Sequence, residues 1–188
     1  MAKVKKGLEK TDLYKIHKAE YAATGKPALI QVKSAQYLAI DGVGEPGVAV
    51  FQERIGALYS MAFTIKMTRK FEGLGDYAVC KLEGQWWLAD GSEDFTGPRD
   101  QWHWNLLIRT PDFIQQADLD KAIVALAKRG KDAGARNVKL EKLDEGSCVQ
   151  MLHVGPYEKE PETISVMKAF IEDKGLKRRG RHHEIYLS

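Results

Sequence analysis

Arg181-His182-His183-Glu184-Ile185-Tyr186-Leu187-Ser188 is the stretch whose reading decides the architecture of this chain. Read as a strand, its side chains alternate between two faces. Glu184 and Tyr186 then share one face, and His183, Ile185 and Leu187 take the other. A glutamate beside an aromatic on one face of a β-forming run is unremarkable where that face meets water, because Glu is mostly an exposed residue. Its weight comes from the residues found earlier in the chain.

Working outward from this strand, Pro161 and Gly175 bracket a helix whose apolar face is Ile164, Met167, Phe170 and Ile171, the Pro-first, Gly-last order of a helix. Before it come strands at 138–143 and 148–154 and the loop Gly155-Pro156-Tyr157-Glu158-Lys159. A helix over 119–129 turns Leu119, Ile123, Leu126 and Ala127 inward and stops near Gly130. The first half reads alike. A helix over 8–23, capped by Thr11, precedes strands at 28–32 and 36–41. Gly42-Val43-Gly44-Glu45-Pro46-Gly47 reads as a loop, and Phe51, Ile55, Leu58 and Ala62 form one face of a helix running to about residue 65. A strand over 77–82 follows, then a connection from Gly84-Gln85-Trp86-Trp87 through Gly91 and Gly97-Pro98. A strand over 101–109 puts Trp102, Trp104 and Leu106 on one face.

Laid side by side, the halves repeat. Strand, Gly-rich loop, amphipathic helix and strand occur from Gln36 and again from Cys148, with Val43-Gly44-Glu45-Pro46 set against Val154-Gly155-Pro156-Tyr157. The expected fold is therefore α+β: one domain over 1–188, built of tandem duplicated strand–helix–strand–strand units at about 27–109 and 137–188. The helices at 8–23 and 119–129 precede the units, and a ligand cleft lies between the halves.

Composition excludes several functions. The chain is 44% apolar and 29% charged, an ordinary soluble globular balance, and no run approaches the length of a membrane helix. The N-terminus is charged with no apolar core behind it, so no secretory signal is read. Cys80 and Cys148 read as buried thiols rather than a bridge, which points to a reducing compartment and the cytoplasm. The first 26 residues carry seven Lys against three Asp/Glu and the remainder is close to balanced, with Lys177-Arg178-Arg179 and Arg181 forming a second basic cluster in a turn. Neither is a basic stripe interleaved with aromatics, so direct nucleic-acid binding is not expected.

The chemistry narrows further. His182 and His183 are adjacent and face opposite sides of a strand, and His153 is distant, so no metal site is expected. Gly42-Val43-Gly44 is not read as the helix-opening glycine loop of a dinucleotide site, no Gly-x-Ser-x-Gly pattern is present, and no cofactor is expected. All four tryptophans, Trp86, Trp87, Trp102 and Trp104, fall within nineteen residues. Their flat surfaces suit planar or cationic ligands, and at least two are expected to line a pocket. A Glu184 walled by such rings would have its carboxyl pKa raised, to be discharged by a bound cation or used to activate water.

Several of these residues resemble the GyrI-like small-molecule-binding family. They are His153-Val154-Gly155-Pro156-Tyr157 with Glu160-Pro161-Glu162-Thr163, the terminal His182-His183-Glu184-Ile185-Tyr186-Leu187-Ser188, and Leu82-Glu83-Gly84-Gln85-Trp86-Trp87 followed by Trp102-His103-Trp104. The resemblance implies a tandem pair of strand–helix–strand–strand units. It also implies a buried acid, Glu184, facing the ligand, with Tyr157, Tyr186, Trp102 and Trp104 in an aromatic cage; Trp87 joins them as a ligand-binding candidate. Relatives include multidrug-responsive effector domains, stand-alone xenobiotic binders, and a subfamily that hydrolyses cyclopropane-bearing DNA-alkylating compounds. For hydrolysis, Glu184 and Tyr157 are the catalytic candidates. The alternative is a regulatory module, gyrase-inhibitor-like or a transcription-factor effector domain, with a protein partner and no catalysis. Two departures are Gln85, where an apolar residue is expected, and a basic, Pro-containing tail that relatives carry past Leu187-Ser188, whose absence means either an opened cleft edge or a trimmed chain. No helix-turn-helix pattern precedes Ala28.

Overall fold

The computed structural model describes residues 10–90 and 97–187; residues 8 and 9 of the expected first helix, Gly91 and Ser188 lie outside the described residues. The main sheet has five antiparallel strands in the order β5 (Lys139–Leu143), β2 (Ala35–Val43), β4 (Trp102–Thr110), β3 (Leu82–Leu88) and β7 (His182–Ile185). A separate antiparallel pair joins β1 (Ala28–Val32) to β6 (Gly146–Gln150). With its helices this is the mixed α+β fold that the sequence implies.

The core forms on one face of the main sheet. Leu38 and Ile40 of β2 and Trp104, Leu106 and Ile108 of β4 meet Phe51, Leu58, Met61 and Ile65 of α3 (Ala49–Phe71). Each fully buried aliphatic side chain of this kind contributes roughly 1.5–3 kcal/mol. α4 (Gln116–Ala127) and α5 (Asp132–Ala135) close the layer against α3. α6 (Glu160–Asp173) is held differently: it packs on β6 and buries no residue fully, so its apolar stripe stays partly open. That difference leaves room for a cavity beside β7.

Four expectations change. The helix over 8–23 is two single turns, α1 (Leu13–Ile16) and α2 (Lys18–Tyr21), broken at His17. Asp12 rather than Thr11 caps the first turn, accepting from the Lys15 N–H at 3.3 Å. The break lets Leu13 enter the helix-side core while Tyr21 reaches Glu83 on the opposite face of the sheet. Residues 77–81 are not a strand: Thr11 and Ala78 tie this segment to the N-terminus through Thr11 N–H to Asp76 C=O and Ala78 N–H to Thr11 C=O. The strand runs instead through the segment expected as a connection, with Trp86 and Trp87 inside it. Gly42 and Val43 also belong to a strand rather than a loop. Gly42 faces Trp104 across the ladder, and a Cβ there would fall 2.2 Å from the Trp104 ring. Glycine sits at 42 because the indole occupies the space of a side chain.

Candidate functional site

The site is built on the edge strand β7. Its ladder with β3 pairs Trp86 with His182, Gln85 with His183, Gly84 with Glu184 and Glu83 with Ile185. His182 and Glu184 therefore share the face of Gly84 and Trp86, while His183 and Ile185 share the opposite face with Glu83 and Gln85.

On the first face, Glu184 is gripped at both oxygens. The Tyr186 hydroxyl donates to Oε2 at 2.6 Å, and His182 Nε2 lies 3.3 Å from Oε1. The same nitrogen lies 3.5 Å from Glu160 Oε1, at the start of α6. Glu160, His182 and Glu184 place their ligand-type atoms within 4.8 Å of one another, a spacing that suits a shared proton and would also suit a metal ion. The two histidines do fall on opposite faces, and Glu160 joins His182 only through the fold, since no local sequence pattern connects it to residues 182–184. Tyr157 stands in a 3₁₀ turn (Tyr157–Lys159) before α6 and is 69% exposed at the cavity mouth. Its loop is tied to α6 by the His153 ring, with Nδ1 2.8 Å from Thr163 Oγ1 and Nε2 3.2 Å from the Pro156 carbonyl.

These groups line a cavity of about 880 Å³ together with Ile164, Met167 and Ile171 of α6 and Cys148 of β6. The volume suits a drug-sized molecule. The cavity passes around β7 to Tyr21, Tyr37, Arg109 and His183 on the other face.

The electrostatics differ from those expected. Burial pushes the Glu184 carboxyl up, but hydrogen bonds from His182 and Tyr186 outweigh it, and the net shift is down. Glu184 is thus an ionised anchor rather than a protonated acid or a strong base. Burial pulls His182 down, yet hydrogen bonds to Glu160 and Glu184 raise it to about 9. Burial, with Glu184 and Glu160 beside it, raises the Tyr157 phenol. Tyr186 is raised by burial and by Glu184.

The tryptophans lie elsewhere. Trp104 is 1% exposed, edge-on to Phe51 at 5.1 Å, with its N–H given to the Gly44 carbonyl at 3.2 Å. Trp102 packs edge-on to Trp86 at 6.2 Å, under the Arg99 guanidinium. Trp87 is on the opposite face, stacked on His103 at 5.6 Å with Arg181 3.6 Å above its ring. None of the four lines the cavity among the described residues; its aromatic walls are tyrosines. Trp86 matters indirectly: a Cβ on Gly84 would lie 3.1 Å from both the Trp86 Nε1 and the Tyr186 hydroxyl, so both groups crowd against the glycine.

The opposite face carries a second network. His183 bridges Glu83 at 3.1 Å and Glu145 at 3.0 Å, Tyr21 donates to Glu83 at 3.2 Å, and Arg109 meets Glu20 at 2.6 Å. Burial pulls His183 down, but Glu145 and Glu83 raise it to about 10.

Residues 105–188 match the family model described as GyrI-like small molecule binding domain. Among solved structures, an uncharacterized conserved protein from Listeria innocua is 37% identical, with a TM-score of 0.88 over 95% of this chain and 91% of that one. A hydrolase from Listeria innocua is likewise 37% identical, with a TM-score of 0.86 over 96% of this chain and 91% of that one. The EcmrR C-terminal domain, 11% identical with a TM-score of 0.54 over 86% of this chain and 84% of that one, shares the fold alone. No curated protein matches the sequence. No helix among the described residues is long and apolar enough to cross a membrane.

Proposed function

We propose that this chain, which belongs to the GyrI-like small-molecule-binding family, takes up flat, hydrophobic organic cations in the cavity beside Glu184. The observation that carries this reading is an ionised, half-buried carboxylate held at both oxygens inside a drug-sized cavity with tyrosine walls. A fixed negative charge in a partly desolvated site attracts a cation more strongly than one free in water. Tyrosine faces add a cation–π attraction, and the α6 stripe of Ile164, Met167 and Ile171 gives a flat ligand apolar surface. The cleft serves xenobiotics by shape and charge rather than by dense hydrogen bonding, and the protein works in the cytoplasm.

Glu184→Gln tests this reading with two dyes of one shape, cationic and neutral. The cationic dye should weaken about tenfold or more while the neutral one changes little. Equal losses for both dyes would remove the electrostatic role.

A second reading, hydrolysis, is favoured by the 37% identity to a Listeria innocua protein described as a hydrolase. The substrate class is a cyclopropane-fused dienone that alkylates DNA. Water adds to a ring carbon as Glu184 takes its proton, and the strained C–C bond breaks. Its electron pair passes through the conjugated system to the carbonyl oxygen, which is protonated from Tyr157. The low carboxyl pKa makes Glu184 a weak base, so binding is placed first. Mass analysis of such a compound with catalytic amounts of protein separates the readings: many turnovers to a hydrated product, lost in Glu184→Gln, mean hydrolysis. Consumption that stops at one equivalent means sequestration.

A further inference from the structure

We propose that Glu160 and His182 determine the ligand charge that this cavity accepts. With Glu184 they form a triad of two carboxylates around one imidazolium, and its net charge of minus one selects singly charged cations. The inference rests on the binding reading above and extends it to residues that neither the family match nor the relatives assign.

The geometry makes the three groups one electrostatic unit. His182 Nε2 lies between Glu184 Oε1 at 3.3 Å and Glu160 Oε1 at 3.5 Å, and the three residues come from two elements, β7 and the first turn of α6. All three line the cavity and are only partly exposed, so bulk water screens them incompletely. The imidazole keeps its proton at neutral pH because the two carboxylates outweigh the effect of burial. The neighbouring phenols of Tyr157 and Tyr186 are both pushed up and stay neutral, so they do not alter the count.

A triad balanced in this way discriminates in both directions. One ligand charge neutralises it. A neutral ligand must leave a partly buried negative charge uncompensated, and a second positive charge finds no further net charge in the triad, while Glu20 and Glu145 elsewhere in the cavity already pair with Arg109 and His183. Glu184 and Glu160 without the imidazolium would carry two negative charges and favour a dication; the His182 proton is what limits the triad to one charge.

A charge ladder tests the proposal. Glu160→Gln sets the triad at zero, His182→Asn at minus two, and the double variant restores minus one. Using a monocationic dye, its neutral isostere and a dicationic homologue, Glu160→Gln should weaken the monocation about tenfold. His182→Asn should favour the dication by a similar factor, and the double variant should return to the wild-type order. The neutral isostere should tighten in Glu160→Gln, where no charge is left uncompensated, and weaken in His182→Asn. Thermal denaturation checks that each variant folds, and Glu160→Gln, at a half-exposed position, decides the matter if His182→Asn does not. Unchanged monocation affinity in Glu160→Gln overturns the triad while leaving the binding reading intact. Failure of the wild-type protein to bind any of the three dyes overturns both. Displacement of the dye by zinc or manganese, lost in Glu160→Gln, overturns the proposal in favour of a metal ion.

Discussion

Gly84 lies directly across the β3–β7 ladder from Glu184, and its missing side chain gives the Tyr186 hydroxyl and the Trp86 indole nitrogen their places. A Cβ at 84 would sit 3.1 Å from each, tighter than an ordinary contact. Gly84→Ala should therefore push Tyr186 from Glu184 and cost about 1 kcal/mol of the charge-assisted hydrogen bond, read as roughly fivefold weaker binding of a cationic dye. Thermal stability should change less than binding. A variant that binds as the wild type does would show that Tyr186 moves without consequence.

Gly42 has the sharper steric constraint. An added Cβ would meet Trp104 ring carbons at 2.2–2.8 Å, and the indole is packed on Phe51 with no void to enter. Gly42→Ala should cost about 1–3 kcal/mol, as overpacking does. Combining it with Trp104→Phe should recover part of that loss, and additive losses in denaturant titrations would refute the contact.

His183→Gln removes the partner of Glu83, which is 1% exposed. Leaving a buried carboxylate without its cation should cost about 3–5 kcal/mol. Urea unfolding measures this directly, and a loss under about 1 kcal/mol would mean that Tyr21 compensates through its own bond to Glu83.

The same residue predicts a pH dependence. Its pKa is raised from an ordinary 6.5 to about 10, so the folded protein holds the proton more tightly than the unfolded chain. Its contribution is complete below about 6.5 and is lost as pH rises through about 10. Melting temperature should fall between pH 7 and 10, and His183→Gln should flatten that slope. A wild-type melting temperature that stays level across this range would contradict the bridge.

Much of the frame was legible because it depends on period. Alternation along residues 182–187 places Glu184 with Tyr186, and the ladder has the same order; helical spacing from Phe51 locates α3, although the helix runs on to Phe71. The misread strands share one cause, glycine taken as punctuation. Gly84 and Gly42 lie inside strands, where each gives an aromatic group room to approach the backbone. The tryptophans were assigned by type, but burial sorts them: Trp104 fills the core and Trp87 faces away from Glu184. Glu160 was invisible because it meets His182 only through the tertiary fold. The sign of the Glu184 shift was missed for that reason too, since its partners outweigh the desolvation that residue types alone suggest.

The four residues of β7 also bear on how such a protein can diversify. His182 and Glu184 join Glu160 on one face, while His183 joins Glu83 and Glu145 on the other, so parity of position separates two charged networks in one short strand. A substitution at an even position can alter one network while the odd positions keep the other. An insertion or deletion of one residue enjoys no such freedom, for it would exchange the two sets at once. A change in the length of this strand therefore disturbs both networks together, where a single replacement disturbs one.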